Sequence, residues 1–338
     1  MRLVLHIGLP KAGSSAVQHS LERRASELSG LGVHYAVAAG ARNASISSGN
    51  GLELARYLDP RRRPPGFSVS DFERSFEKSY LSPAHPVSVI SSEFLAYADE
   101  DMLRRFRDAL LGRRQIQVIG FIRDLYGHAR SSWMQLVKRG AYTRSFEQFV
   151  DELYQNSQFR VLRVFNKVFG WERMAFLHYE THAGDIFGAF LDAIGAPRVA
   201  AEPAPLVNRS LSQAELDVQL RWNRLHRNKA LATAMSDHFL QRNPDRAGAA
   251  LWRPQVAQVL EDRFGDEVRY INDKYFRAPQ QLAIARNEPR SFAEPAEAHP
   301  PESYPQVMAD AAAAVCRHLG RHLVRHGDAS AGADPDAP

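Results

Sequence analysis

The stretch His6-Ile7-Gly8-Leu9-Pro10-Lys11-Ala12-Gly13-Ser14-Ser15 decides how the rest of this chain is read. An apolar run precedes it, and Ala16, Val17, Leu21 and Ala25 follow it at roughly helical spacing. The first pattern predicts a short strand over 2–7; the second predicts a helix from Ser14 to about Leu28. Gly8 to Gly13 form the loop between them. In a parallel α/β sheet such a loop leaves the carboxyl end of its strand, where ligands bind. The free N–H groups of the following helix, together with its dipole, make that place an anion site. Gly13 allows close approach of the backbone. Ser14 and Ser15 add hydroxyl donors, and Lys11 adds a point charge. The order is not that of a Walker A loop, GxxxxGK[ST], because Lys11 comes before Gly13 and no lysine follows it. The plainer alternative is that Ser14 or Ser15 only caps the helix and Lys11 is a solvated loop charge.

Outward from this loop the chain alternates between strand and helix. Strand patterns fall at 33–35, 87–90, 115–122 and 174–177, and helical ones at 52–58, 71–80, 94–110, 125–138 and 186–194. That alternation predicts an α/β domain with a central parallel sheet covered on both faces. Past residue 200 the strand signal fades and helices are expected at 212–230, 248–265 and 306–325. Residues 36–51 and 287–305 read as loops, and the Ala/Gly/Asp/Pro-rich tail 327–338 as disordered. The expected organisation is one domain, 1–326, with an α/β core over 1–200 and a mainly helical portion over 201–326.

Composition narrows the classes further. The chain has 338 residues, 44% hydrophobic and 24% charged, with a formal net charge of +5. This is ample for a core. The positive charge suits anionic ligands but is too diffuse to argue for nucleic acid. A single cysteine, Cys316, rules out a disulfide framework or a cysteine metal site. No stretch is long and apolar enough for a membrane span, and the first residues have no secretory pattern. The expectation is a cytoplasmic enzyme; oligomeric state is unreadable.

A second constellation follows the strand at 115–122. It ends in Arg123, and Ser131 stands eight residues on. A guanidinium fork leaving a sheet edge and a hydroxyl on the next helix together suit a phosphate dianion. The plainer reading of Arg123 is an ion pair with Asp124 or a surface acid. Ile90-Ser91-Ser92-Glu93 closes the third strand on the same edge, where Glu93 could act as a base or simply favour a helix start at Phe94. His6 is a rival base, but an internal strand makes it more a core histidine.

The order Pro-Lys-x-Gly-Ser/Thr-Ser/Thr resembles the 5'-phosphosulfate loop of sulfotransferases that use 3'-phosphoadenosine 5'-phosphosulfate (PAPS), and His-Ile-Gly-x-x-Lys-x-Gly is especially similar to the bacterial and Golgi carbohydrate-type branch. Arg123 with Ser131, and the continuation Ser132 to Gly140, resemble that family's 3'-phosphate motif. The resemblance implies a P-loop-type three-layer fold, with Lys11, Ala12, Gly13, Ser14 and Ser15 on the 5'-phosphosulfate and Arg123 and Ser131 on the 3'-phosphate. It implies Lys11 and Glu93 as catalytic groups, PAPS as co-substrate and no metal. The acceptor it implies is a saccharide or small molecule carrying a hydroxyl or amine. One departure is Ala16, where cytosolic members carry a tryptophan that stacks on adenine. Acceptor contacts are expected from Ser47-Ser48-Gly49-Asn50-Gly51 and from Gln135, Lys138 and Arg139, or else the latter three form a solvated helix face. Asn208-Arg209-Ser210 resembles a loop bordering the cofactor, although Ser212-x-x-Glu215 beside it is a capping box. The alternatives are a nucleotide kinase or NTPase with an atypical loop, and an inactive nucleotide-binding module.

Overall fold

The structure is a computed structural model, and it describes residues 1–37, 49–112, 114–201, 209–249, 251–277, 280–285 and 304–330. Its sheet has five parallel strands in the order β2-β3-β1-β4-β5. They are β1 (Arg2–Ile7), β2 (Val33–His34), β3 (Val87–Ser92), β4 (Gln115–Ile122) and β5 (Met174–His178). The three middle strands are almost wholly buried, as expected where both faces are covered. Register is in step: Arg2 pairs with Val87 and Gln115, and Ile7 with Ser92. All five strands therefore run toward one edge of the sheet, which β2, paired only as far as Ser88, stops short of.

The helices that accompany the sheet are α1 (Ser14–Arg23), α2 (Ala25–Gly30), α3 (Leu52–Leu58), α4 (Val69–Tyr80), α5 (Glu100–Phe106), α6 (Leu125–Gly140), α7 (Phe146–Glu152), α8 (Ser157–Phe169), α9 (Tyr179–His182) and α10 (Ile186–Ala193). Past residue 200 come α11 (Gln213–His226), α12 (Lys229–Arg242), α13 (Pro254–Tyr275) and α14 (Tyr304–Ser330). No helix among the described residues is long and apolar enough to cross a membrane.

Several boundaries differ from the sequence reading, among them α13, expected over 248–265 and found at Pro254–Tyr275. The helix expected over 14–28 breaks at Arg24, whose φ of −96° and ψ of 10° leave the helical region. The helix expected over 94–110 is three pieces. Ser92 Oγ accepts from Phe94 N and starts a 3₁₀ turn, Asp99 caps α5, and Arg107–Leu111 is a π turn. The helix expected over 212–230 ends because Arg227 is left-handed, and Asn228 then caps α12 by accepting from Ala230 N and Leu231 N. Finally, α14 runs to Ser330, past the Gly327 where a tail was expected; 331–338 lie outside the described residues.

The chain divides into two compact units. The first comprises 1–128, 155–205 and 260–285 and holds the whole sheet. The second comprises 129–154, 206–259 and 286–338, and its described part is helical. It is organised around a buried acid. Glu215 is fully buried and accepts from both Arg209 Nη atoms at 2.7 Å, from Ser212 N at 2.9 Å and from Arg246 at 3.4 Å. Ser212 returns the bond to Glu215 N, completing the capping box. Removing the carboxylate strands two arginines in a water-poor interior. Glu215→Ala should cost about 3–5 kcal/mol of the helical unit's stability, read as a lowered urea midpoint by circular dichroism. An unchanged midpoint would contradict this role.

Candidate active site at the carboxyl edge of the sheet

The β1–α1 loop turns within six residues, and two of them are left-handed: Lys11 at φ 62° and Gly13 at φ 78°. For a lysine that conformation is strained and must be held by its surroundings. The expectation that a serine caps α1 is not met. Gly13 is the N-cap with no side-chain hydrogen bond, and Ser14 Oγ instead donates to Leu9 O at 3.1 Å. Among the described residues, the backbone N–H groups of Gly13, Ser14 and Ser15 donate to nothing. Three adjacent unspent donors stand at the start of a ten-residue helix, an arrangement that suits an anion. Ala12 is fully buried beneath it, while Ser15 is exposed.

The neighbouring strand ends close on this loop. Gly8 N donates to Ser92 O at 3.0 Å, and a Cβ on Gly8 would stand 2.7 Å from Glu93 Cα. Glu93 itself is exposed and makes no hydrogen bond or ion pair among the described residues. From the other side Arg123 Nη1 donates to Lys11 O at 3.2 Å. Lys11, Glu93 and Arg123, read separately from the sequence, thus border one loop. Ser131 does not join them by any measured contact; it lies half-buried on the part of α6 that belongs to the second unit.

Arg123 does pair with an acid, as the plainer reading had it, but the acid is the partly buried Glu180 and not Asp124. The Arg123 Nε meets Glu180 Oε1 at 3.0 Å, with both side chains a quarter exposed or less, and its guanidinium lies 4.9 Å from the Tyr179 ring centre. Gln158 clasps the Arg123 backbone, accepting from its N at 2.8 Å and donating to its O at 3.2 Å. Glu180 Oε2 accepts from Asp124 N at 3.1 Å and lies 3.3 Å from His178 Nε2, which is also 3.0 Å from Asp124 Oδ1. Burial by itself would lower the His178 pKa, but hydrogen bonds to Asp124 and Glu180 outweigh it and push the value up to about 9. Asp124, His178 and Glu180 bring their ligand atoms within 4.8 Å of one another, the spacing of a possible metal-holding group, and the raised pKa favours an imidazolium paired with the two carboxylates.

Sequence reasoning missed His178, Tyr179, Glu180 and Gln158. The available signal was positional: His-Tyr-Glu directly follows the last strand, at the edge where the other strands deliver their functional residues.

Other expectations meet mixed outcomes, and the reading of His6 as a core histidine holds. His6 is fully buried, bonded through Nδ1 to Ser91 Oγ at 2.7 Å, and burial lowers its pKa to about 3. It packs edge-on to Phe121 and Phe190, so it is a core residue. His128 is likewise held near 3, by burial first and then by the positive charges of Arg123 and Lys11. Lys138 is buried and donates to Arg209 O; Arg139 pairs with Asp237 at 2.5 Å and bonds Thr233 O. Both tie helices together inside the second unit, and Lys138 lies buried rather than on a solvated face. Arg209 is spent on Glu215 and on backbone carbonyls. Ser47, Ser48 and Asn208 lie outside the described residues.

No family model matches the chain, and no curated protein matches it. Solved structures do. A sulfotransferase from Alicyclobacillus acidocaldarius is 13% identical, with 80% of this chain and 94% of that one covered and a TM-score of 0.42. A retinol dehydratase, solved in complex with androsterone and inactive cofactor PAP, is 15% identical, with 82% of each chain covered and a TM-score of 0.36.

The raised His178 pKa sets a pH dependence. The folded-state value, about 9, exceeds the ordinary 6.5, so the cluster's contribution to stability is complete below 6.5 and is lost as pH rises through 9. Thermal unfolding midpoints should fall between pH 7 and 10 in the wild type and fall less in His178→Gln. Parallel curves would contradict the protonated state, as would a His178 ring titrating near 6.5 by NMR.

Proposed function

We propose that the protein is a sulfotransferase that moves a sulfuryl group from PAPS to a hydroxyl or amine of a carbohydrate or glycoconjugate acceptor. The observation that carries this reading is the β1–α1 loop. It presents three unspent N–H groups, holds Lys11 left-handed at its apex, and takes the Arg123 guanidinium on the Lys11 carbonyl.

In this reading the N–H groups of Gly13, Ser14 and Ser15 hold the 5'-phosphosulfate, as an anion is held at a helix start. Arg123 supplies the fork for the ribose 3'-phosphate, with Ser131 as a hydroxyl partner. A nucleotide phosphate there competes with Glu180 for Arg123, and His178 remains to neutralise Glu180 when Arg123 turns. The acceptor oxygen attacks sulfur in line, its proton passes to Glu93, and the bond from sulfur to the 5'-phosphate oxygen breaks. Lys11 neutralises the charge that develops on that bridging oxygen. Glu93 suits the proton transfer because it is exposed, unpaired among the described residues, and stands against Gly8. We place the enzyme in the cytoplasm, in keeping with a lone, exposed cysteine.

Transfer of labelled sulfate from PAPS to a saccharide acceptor tests these roles. Lys11→Ala should lower turnover by roughly 10²–10³-fold. Glu93→Gln should lower it by roughly 10²-fold or more while leaving nucleotide affinity intact. Near wild-type turnover in either variant would remove that residue from the mechanism. Arg123→Ala should weaken adenosine 3',5'-bisphosphate binding far more than that of adenosine 5'-phosphate, and equal weakening would refute the 3'-phosphate assignment.

A further inference from the structure

A cavity of about 630 Å³ opens beside α3 and α4, in the unit that holds the sheet. Its place is fixed by Asn50, which lines it. Asn50 Oδ1 accepts from Ser91 N at 2.8 Å, and its Nδ2 donates to Val89 O at 3.0 Å. The cavity wall is therefore pinned to the carboxyl end of β3, two residues before Glu93. Ala36 and Val37, just past β2, line the same space. β2 and β1 flank β3 and so lie roughly 10 Å apart across the sheet, a lateral span that a disaccharide can bridge.

The lining has a definite chemistry. Phe67, half-buried, and the buried Phe72 and Tyr80 line one part of it and make that part apolar. Glu53, Asp71 and Ser79 supply oxygens. No lysine or arginine among the described residues lines the cavity, on a chain that carries 43 of them. Glu53 and Asp71 each pair with an arginine three residues on, Arg56 and Arg74, in exposed pairs of little strength. Each carboxylate keeps further lone pairs for hydroxyl donors. Aromatic surface with carboxylate and hydroxyl oxygens matches a sugar ring, apolar on its C–H face and rich in O–H on its rim. An anionic sugar would instead meet two carboxylates, already engaged by Arg56 and Arg74, and no lysine or arginine among the described lining residues to bind its charge.

We infer that this cavity is the acceptor subsite, and that it takes an uncharged saccharide in preference to a polyanionic one. The inference rests on the sulfotransferase reading. The test uses cellobiose and the corresponding disaccharide uronate as probes, each titrated by calorimetry into protein saturated with adenosine 3',5'-bisphosphate. Cellobiose should bind at least ten times more tightly than the uronate. Ser79→Trp fills the cavity from an exposed position on α4, where the serine makes no hydrogen bond among the described residues. It should weaken cellobiose binding at least tenfold and leave bisphosphate affinity unchanged, which also reports that the variant is folded. Phe67→Ala should do the same. With the bisphosphate bound, any one of three results overturns the inference: uronate binding as tight as cellobiose, no binding of either, or cellobiose affinity indifferent to both substitutions. Failure to bind the bisphosphate at all would defeat the sulfotransferase reading and take the acceptor assignment with it.

Discussion

The β1–α1 loop has no spare room, and the rest of the site is arranged around that constraint. A Cβ on Gly8 would collide with the Glu93 backbone, and one on Gly13 would stand 2.2 Å from Ile186 Cδ1 and 2.9 Å from the Tyr179 ring. Arg123 closes the third side by bonding the Lys11 carbonyl. The exits of β3, β4 and β5 therefore clamp the exit of β1. Held this way, Lys11 keeps a backbone conformation that an isolated lysine disfavours, and three N–H groups find no acceptor among the described residues. An anion site built from backbone donors is only as good as the rigidity of the turn that aims them.

Charge is balanced with similar economy. Arg123 and His178 face Asp124 and Glu180, and, against burial, the two carboxylates raise the imidazole's pKa to about 9. Asp124 also accepts from Ala283 N at 2.8 Å, and α6 begins with Leu125 N and Tyr126 N bonded to Ala283 O and Ile284 O. The segment after α13 is thereby fastened to the exit of β4. Glu180 is shared among Arg123, His178 and a backbone N–H, so it can yield one partner without becoming an isolated charge. Such an acid can let Arg123 turn toward a phosphate at modest cost, because His178 stays to neutralise it.

The sheet was legible in the sequence because its strands are short, apolar and bounded by turns, and Gln115–Ile122 emerged with its ends as expected. The β1–α1 loop was legible for the same reason, its glycines and lysine falling between a strand period and a helix period. Helix interiors were harder where a local side chain overrides the apolar spacing, as Asp99 and Asn228 do by capping new helices inside stretches that read as continuous. Amphipathic α8 went unread although seven of its thirteen residues are buried in a helical stripe. The partner of Arg123 was not legible, since Glu180 lies 57 residues away and only the strand order brings it near. Lys138 and Arg139 misled because a charged helical residue reads as solvated until the helix packed against it is known.

The most direct test of the account is a calorimetric titration of the purified protein with adenosine 3',5'-bisphosphate, run beside ATP with Mg²⁺. The account predicts micromolar binding of the bisphosphate and weak or absent binding of ATP. Tight, Mg²⁺-dependent ATP binding without bisphosphate binding would contradict it and place the loop among the phosphoryl-transfer enzymes.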